Sequence, residues 1–184
     1  MTQEMWPEPE RAALGVRRWH TWPCIQTQTT ADHSLHVLRL YCKLFGWPPP
    51  HVTYYIIHHD TGEYITGDIP FHAKKMGGQP FRNQIDVVEK RGMQEQLPRV
   101  CEELERAFRQ MHAIELWRAK ACDLLDMVEF SLMEMRLGNN MFQVVVERVE
   151  LAITSHITGS MAALPEDDIR AVRFYTDELV GAQR

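Results

Sequence analysis

The chain has 184 residues, of which 45% are hydrophobic, and a formal net charge of -5. That length and apolar content fit one domain over residues 1–184 with a sizeable core. The negative charge argues against a surface that binds nucleic-acid polymers, which needs basic groups to neutralise phosphates.

No run of about 18 apolar residues is present, so no membrane partner is expected. The start of the chain, Met1 to Glu10, is acidic and contains proline, without the basic-then-apolar order of a secretory leader. Cys24, Cys42, Cys101 and Cys122 form no C-x-x-C pair, which excludes a zinc knuckle or thioredoxin-like motif and suits reduced, mostly buried thiols. A soluble cytoplasmic protein is expected.

Pro7 to Arg18 reads as a short helix, followed by an irregular segment, Trp19 to Thr29, with two tryptophans and Pro23. Thr29 or Thr30 can N-cap the next helix, along which Leu35, Leu38, Cys42 and Phe45 recur at helical spacing until Gly46 and Pro48-Pro49-Pro50 stop it. His33 falls in its first turn. A third helix, His51 to Asp60, carries Val52, Tyr55 and Ile56 on its apolar side and places His59 and Asp60 at its C-terminal end. Glu63 to Lys75, with Gly67, Asp68 and Pro70, reads as a loop entering a short helical piece, and Gly77, Gly78 and Pro80 reinforce the break.

Two long helical patterns follow, Phe81 to Met111, interrupted near Pro98, and Glu115 to Leu137. The second has Trp117, Ala121, Leu124, Val128 and Leu132 on one face, with Asp123 in mid-helix. Beyond Gly138-Asn139-Asn140, a C-cap signal, come Met141 to Thr158 and Pro165 to Val180. The fold class is therefore an all-α helical bundle. Phe142, Val146, Val172 and Phe174 near the end of the chain are either core or the face of a homo-oligomer.

His33, the pair His59-Asp60 and Asp123 put four metal-ligand side chains on three predicted helices. Nitrogen and carboxylate donors in one cluster suit a divalent transition metal, Co, Mn, Fe or Zn, whereas an all-oxygen set would suit magnesium or calcium. Adjacent helical residues point about 100° apart, so His59 and Asp60 share one ion only where the helix end is distorted. Lys120 precedes Asp123 by three residues and shares its helical face. It is either a phosphate contact or a surface ion-pair partner. Arg17, Arg18, Lys74 and Lys75 supply further positive charge near the ligands, which suits a small anionic partner.

In order and spacing, several stretches resemble the HD-domain metal-dependent phosphohydrolases. They are Arg18-Trp19, Ala31-Asp32-His33-Ser34-Leu35, His59-Asp60 followed by Glu63, Thr66-Gly67-Asp68-Ile69-Pro70, Lys74, and Lys120-Ala121-Cys122-Asp123. Within that superfamily the chain looks most like the YfbR-like 5'-deoxynucleotidases and their phage relatives, the DatZ-like dATP triphosphohydrolases. The resemblance implies that His33, His59, Asp60 and Asp123 hold one metal, which would polarise a phosphoryl group and acidify water. It implies that Glu63 positions or deprotonates that water, and that Arg18, Lys74 and Lys120 surround the phosphate. Trp19 would pack against the sugar and exclude a 2'-hydroxyl, with Asp68 on the 3'-hydroxyl. Trp22 is either part of the base side of the pocket or a loop anchor. His58 and His72 depart from the family pattern and are candidates to touch substrate.

The activity implied is hydrolysis of dATP, and also of dADP and dAMP, to deoxyadenosine plus triphosphate or phosphate, with additional Mg accompanying a triphosphate. A broad dNMP 5'-nucleotidase would share every residue named. An inactive HD nucleotide-binding or interaction module is the alternative of another class, which loss of a metal ligand or of Glu63 would favour; all are present. By the same resemblance a dimer or hexamer is expected, in a host cytoplasm if the chain is phage-encoded.

Overall fold

Apolar residues every three or four positions dictate helices along most of the chain, and the computed structural model, which describes residues 8–160 and 164–181, is built from them. In order these are α1 (Pro9–Leu14), α2 (Thr30–Phe45), α3 (Pro50–His58), α4 (Glu63–Thr66), α5 (Phe71–Gln96), α6 (Pro98–Gln110) and α7 (Ala113–Arg136). A 3-10 turn (Asn140–Phe142), α8 (Gln143–Ser160) and α9 (Glu166–Gly181) complete the bundle. The only β pairing among the described residues is an isolated bridge between Arg17 and Thr29. Pro7, the expected start of the first helix, lies outside the described residues, and that helix ends at Leu14 rather than Arg18. The reason is tertiary. Arg18 N donates to the Gln28 carbonyl at 2.9 Å and Thr30 N to the Val16 carbonyl at 3.0 Å, so the backbone here closes a loop instead of continuing a helix.

Helix α7 is the centre of the bundle, packed against α2, α3, α8 and α9. Its expected face is buried as read: Trp117, Ala121, Leu124, Val128 and Leu132 all lie in the main core. Its end is closed by Gly138 at φ 99°, a backbone conformation that favours glycine, which lets Asn139 N reach the Glu134 carbonyl at 2.9 Å.

Helix α2 begins with a capping box between Thr29 and Asp32. Its buried face differs from the expected one. His33, Ser34, Val37, Leu40 and Tyr41 point inward, while Leu35 is 57% exposed. Packing on both α3 and α7 rotates the polar His33 into the interior, a choice that hydrophobicity alone does not encode.

Between α3 and α5 the structure is more helical than expected. Glu63 to Thr66 forms a turn of helix, and Lys74 sits near the start of α5 instead of in a loop. The anticipated break survives as a kink at Gly78 (φ 65°, ψ -166°), after which Pro80 is tolerated because a new helical stretch starts there. Three of the four residues left open as core or interface are core, since Phe142, Val146 and Val172 are buried, whereas Phe174 is 70% exposed. All four cysteines are free, with Cys101 and Cys122 buried. No helix among the described residues is long and apolar enough to cross a membrane.

Candidate active site

After His58 the chain tightens into successive three-residue turns, Thr61 N to the His58 carbonyl at 3.0 Å and Glu63 N to the Asp60 carbonyl at 3.1 Å. This distortion swings His59 and Asp60 toward a common point. His59 Nδ1 bonds the Ile56 carbonyl at 2.8 Å, and its Nε2 lies 3.4 Å from Asp60 Oδ1. His33, fully buried, presents Nε2 at 3.6 Å from Asp60 Oδ2 and 3.3 Å from Asp123 Oδ1.

One ligand atom each from His33, His59 and Asp60 lie within 4.8 Å of one another. Donors bound about 2.0–2.2 Å from a shared tetrahedral ion stand roughly 3–4 Å apart, so the trio has the dimensions of a metal site. Asp123 stands outside that trio: its Oδ1 is beside His33, but its Oδ2 is paired with Lys120.

The electrostatics agree with a cation between these groups. Burial works against ionising Asp60 and Asp123, yet their charged neighbours prevail. His59, Arg18 and His33 hold Asp60 below its ordinary value, and Lys120, His33 and His59 hold Asp123 well below. Burial and Arg18 press His33 downward, but Asp123 and Asp126 overcome them and raise it to about 9. A site that pulls a proton onto a buried imidazole so strongly carries negative charge that a dication would balance.

Behind the ligands lies Asp126, a residue the sequence reading missed. It is 1% exposed and accepts from His33 Nδ1 at 2.6 Å and from Gln28 Nε2 at 2.9 Å. With the Asp126 oxygen as acceptor, His33 donates Nδ1–H and turns Nε2 toward the ligand trio, where it would ligate a dication once its own proton is displaced. The signal was present in the spacing. Asp123, Asp126, Phe130 and Glu134 fall three, four and four residues apart on α7, one continuous stripe. Glu134, fully buried, accepts from Ile25 N at 2.8 Å and Gln26 N at 2.7 Å, which pins the Trp19–Thr29 loop onto the same helix.

The expected cations are divided among the carboxylates. Arg18 Nη1 donates to Asp60 Oδ2 at 2.6 Å, Lys120 pairs with Asp123, and Lys74 Nζ lies 3.8 Å from Glu63 Oε1. Glu63 is 6% exposed; burial first, and then the Asp60 charge, push its carboxyl up to about 8.

Four buried side-chain polar atoms among the described residues have no hydrogen-bond partner, namely Arg18 Nε, His33 Nε2, Glu63 Oε2 and Asp126 Oδ1. Arg18 Nε, His33 Nε2 and Glu63 Oε2 belong to the ligands and their charged neighbours, whereas Asp126 Oδ1 lies behind them, 3.3 Å from His36 Nδ1. Such orphans are costly and rare in a native interior, so the convergence of the first three marks a place built for something else to bind.

Trp19 is the one described non-glycine residue in the left-handed region, at φ 61°. Strain of this kind costs on the order of 1–3 kcal/mol and concentrates at functional sites. Its backbone N donates to Asp68 Oδ2 at 3.2 Å, and its ring stacks on Phe130 with centroids 5.5 Å apart. Trp22 packs against Phe142 with ring centroids 5.6 Å apart. His58 turns to Tyr54 and Thr61, and His72 is exposed on α5.

Residues 14–164 match the family described as 5'-deoxynucleotidase YfbR-like. The chain belongs to that family. Among its relatives are the 5'-deoxynucleotidase YfbR of Salmonella arizonae, 26% identical over 150 residues that cover 73% of this chain and 75% of the relative, and a 5'-deoxynucleotidase of Cronobacter sakazakii, 24% identical over 179 residues that cover 89% of each. Two solved structures share the fold. The cyanophage S-2L HD phosphohydrolase DatZ, bound to dA and one catalytic Zn2+ ion, superposes with a TM-score of 0.68 at 17% identity over 97% of this chain and 98% of that one. A conserved hypothetical protein of Pyrococcus furiosus gives 0.56 at 21% identity, covering 90% and 95%. In this YfbR-like chain the His59-Asp60 pair follows directly on α3.

Proposed function

We propose that this chain hydrolyses dATP to deoxyadenosine and triphosphate, accepts dADP and dAMP as well, and does so at the centre formed by His33, His59, Asp60 and Asp123. At the coarser level it is an HD-domain deoxynucleotide phosphohydrolase that uses a divalent metal. The observation that carries the reading is the orphaned His33 Nε2, held between Asp60 and Asp123 with Arg18 alongside. A dication held there supplies Lewis acidity and acidified water. Zinc is the first ion to test because DatZ holds it, with Co, Mn and Fe sharing the same donor preference. Additional Mg would accompany a triphosphate.

The chain's own groups supply the rest. Glu63 Oε2 is buried and unpartnered, and in this reading Glu63 takes a proton from the attacking water, its carboxylate form being the one that a dication bound beside it would favour. Lys74 steadies the other Glu63 oxygen. Arg18, Lys74 and Lys120 would meet the charge that spreads over the phosphoryl oxygens. Trp19 would wall the sugar at C2', and Asp68, with one oxygen engaged by Trp19 N, would offer the other to the 3'-hydroxyl.

A second reading is a 5'-nucleotidase on dNMPs of broad base specificity. It is favoured by the engagement of Arg18 and Lys120 with ligand carboxylates, which leaves less positive charge for β- and γ-phosphates. A release assay on dNTPs, dNMPs and NTPs with Zn, Co or Mn separates the two. Triphosphate released fastest from dATP supports the first reading. Phosphate released at similar rates from all dNMPs, with dATP inert, replaces it with the second. A homo-oligomer, dimer or hexamer, belongs to the same reading, and the exposed Phe174 and Leu151 are apolar surface available to it.

A further inference from the structure

Four side chains form one unbroken hydrogen-bonded chain through the interior. Trp19 Nε1 donates to Gln28 Oε1 at 2.9 Å, Gln28 Nε2 donates to Asp126 Oδ2 at 2.9 Å, and His33 Nδ1 meets the same oxygen at 2.6 Å. Gln28 is 3% exposed and Asp126 1% exposed, so water does not compete for these groups. An amide has one acceptor and one donor end, and both ends of Gln28 are spoken for in a single orientation. Its flip would point an NH2 at the indole N–H and a carbonyl at the Asp126 carboxylate, two mismatches in a buried site. The orientation of Gln28 is therefore dictated from both sides.

From this geometry we infer that Gln28 and Asp126 are positioning residues that couple the sugar-facing tryptophan to the metal ligand, so that the indole and the His33 imidazole are set as one unit. This rests on the proposed function, in which His33 binds the metal and Trp19 walls the sugar. Asp126 selects the His33 tautomer with a free Nε2 lone pair, as carboxylates behind ligating histidines do. Gln28 then makes that choice dependent on Trp19. The Trp19 indole would lose its hydrogen bond if it moved away from the wall, and the loss would pass through Gln28 to Asp126 and His33. The Trp19 backbone N, by contrast, bonds Asp68, whereas its indole bonds the Gln28 amide.

The test uses the full-length protein and zinc affinity measured by competition with a chelator, alongside KM and kcat for dATP and ATP. Gln28→Met keeps the side chain's bulk but breaks both hydrogen bonds. It is expected to weaken zinc binding about tenfold or more and to lower the preference for deoxyribose through KM rather than kcat. Trp19→Phe keeps an aromatic ring on Phe130 and removes only the indole donor. It is expected to weaken zinc binding by a smaller factor although Trp19 never touches the ion. Once Gln28 is Met, adding Trp19→Phe should weaken zinc no further. Multiplicative losses in the double variant, or wild-type zinc affinity in Gln28→Met, would overturn the coupling. Should Gln28→Met fail to fold, Trp19→Phe decides alone, and unchanged zinc affinity there would overturn it too. Failure of the wild type itself to bind zinc, cobalt or manganese would instead remove the underlying metal-site reading, and the coupling with it.

Discussion

Trp19 and Asp68 stand 49 residues apart in the chain, yet the Trp19 backbone N donates to Asp68 Oδ2 at 3.2 Å. The bond ties the only left-handed non-glycine residue among those described to the turn between α4 and α5. A strained backbone persists only where its surroundings over-determine it. Asp68→Ala is therefore expected to release Trp19 and to raise KM for dATP about tenfold or more, with a smaller dATP-to-ATP preference and, through the Trp19–Gln28–Asp126 bonds, weaker zinc binding of the kind expected for Trp19→Phe. Trp19→Ala should relax the same preference, because a 2'-hydroxyl now has room and water. Equal rates of the wild type on dATP and ATP would refute the sugar wall.

Removing one protein ligand should leave too few to retain the ion. His59→Ala and Asp60→Ala are each expected to abolish hydrolysis and to lower bound transition metal, measured by elemental analysis after gel filtration. Asp60→Ala also strips Arg18 of its partner at 2.6 Å, so it should destabilise the fold more than His59→Ala does. Full metal content in both variants would place the ion elsewhere.

Lys120 separates electrostatic catalysis from metal retention. It pairs with Asp123 but is more than half exposed, at 56%, so the helix does not depend on it. Lys120→Ala should lower turnover on the order of a hundredfold through lost transition-state stabilisation, with helical content and metal stoichiometry preserved. An unchanged rate would leave Lys120 as a surface ion-pair partner only.

Glu63 makes stability depend on pH in a direction opposite to most carboxylates. Its folded value, raised to about 8 by burial and by Asp60, lies above its ordinary 4.5. Between those values folded Glu63 keeps a proton that the unfolded chain has lost. By linkage, its contribution to stability is full below about 4.5 and falls as pH rises toward about 8. In chelator-treated protein, urea unfolding should show Glu63→Gln, which stays neutral, gaining over the wild type as pH rises from 5.5 to 8.5, by on the order of a few kcal/mol. A constant difference across that range would contradict a raised Glu63. The same variant should hydrolyse dATP slowly at every pH, since an amide takes no proton from water.

What the sequence determined by itself is local. A helix start at Thr29 or Thr30, the apolar face of α7 and the Gly138 stop all rest on spacings of a few residues, and the structure has each of them, with the cap at Thr29. Even the kink at Gly78 was legible, because glycine and proline act on their own backbone. The tertiary structure alone decided the remainder. Leu35 faces solvent while His33 is buried because α2 is wedged between α3 and α7, and a lone helix has no means of choosing that rotation. Phe142 and Val172 became core because α8 and α9 close over α7, which their hydrophobicity permitted but did not require. Asp126, Gln28 and Glu134 looked like ordinary polar residues, and each acquired its role from a partner about a hundred residues away in the chain. Burial turned those three from solvated side chains into the groups that hold His33 and the tryptophan loop, since only out of water does an unmatched donor or acceptor cost enough to dictate geometry.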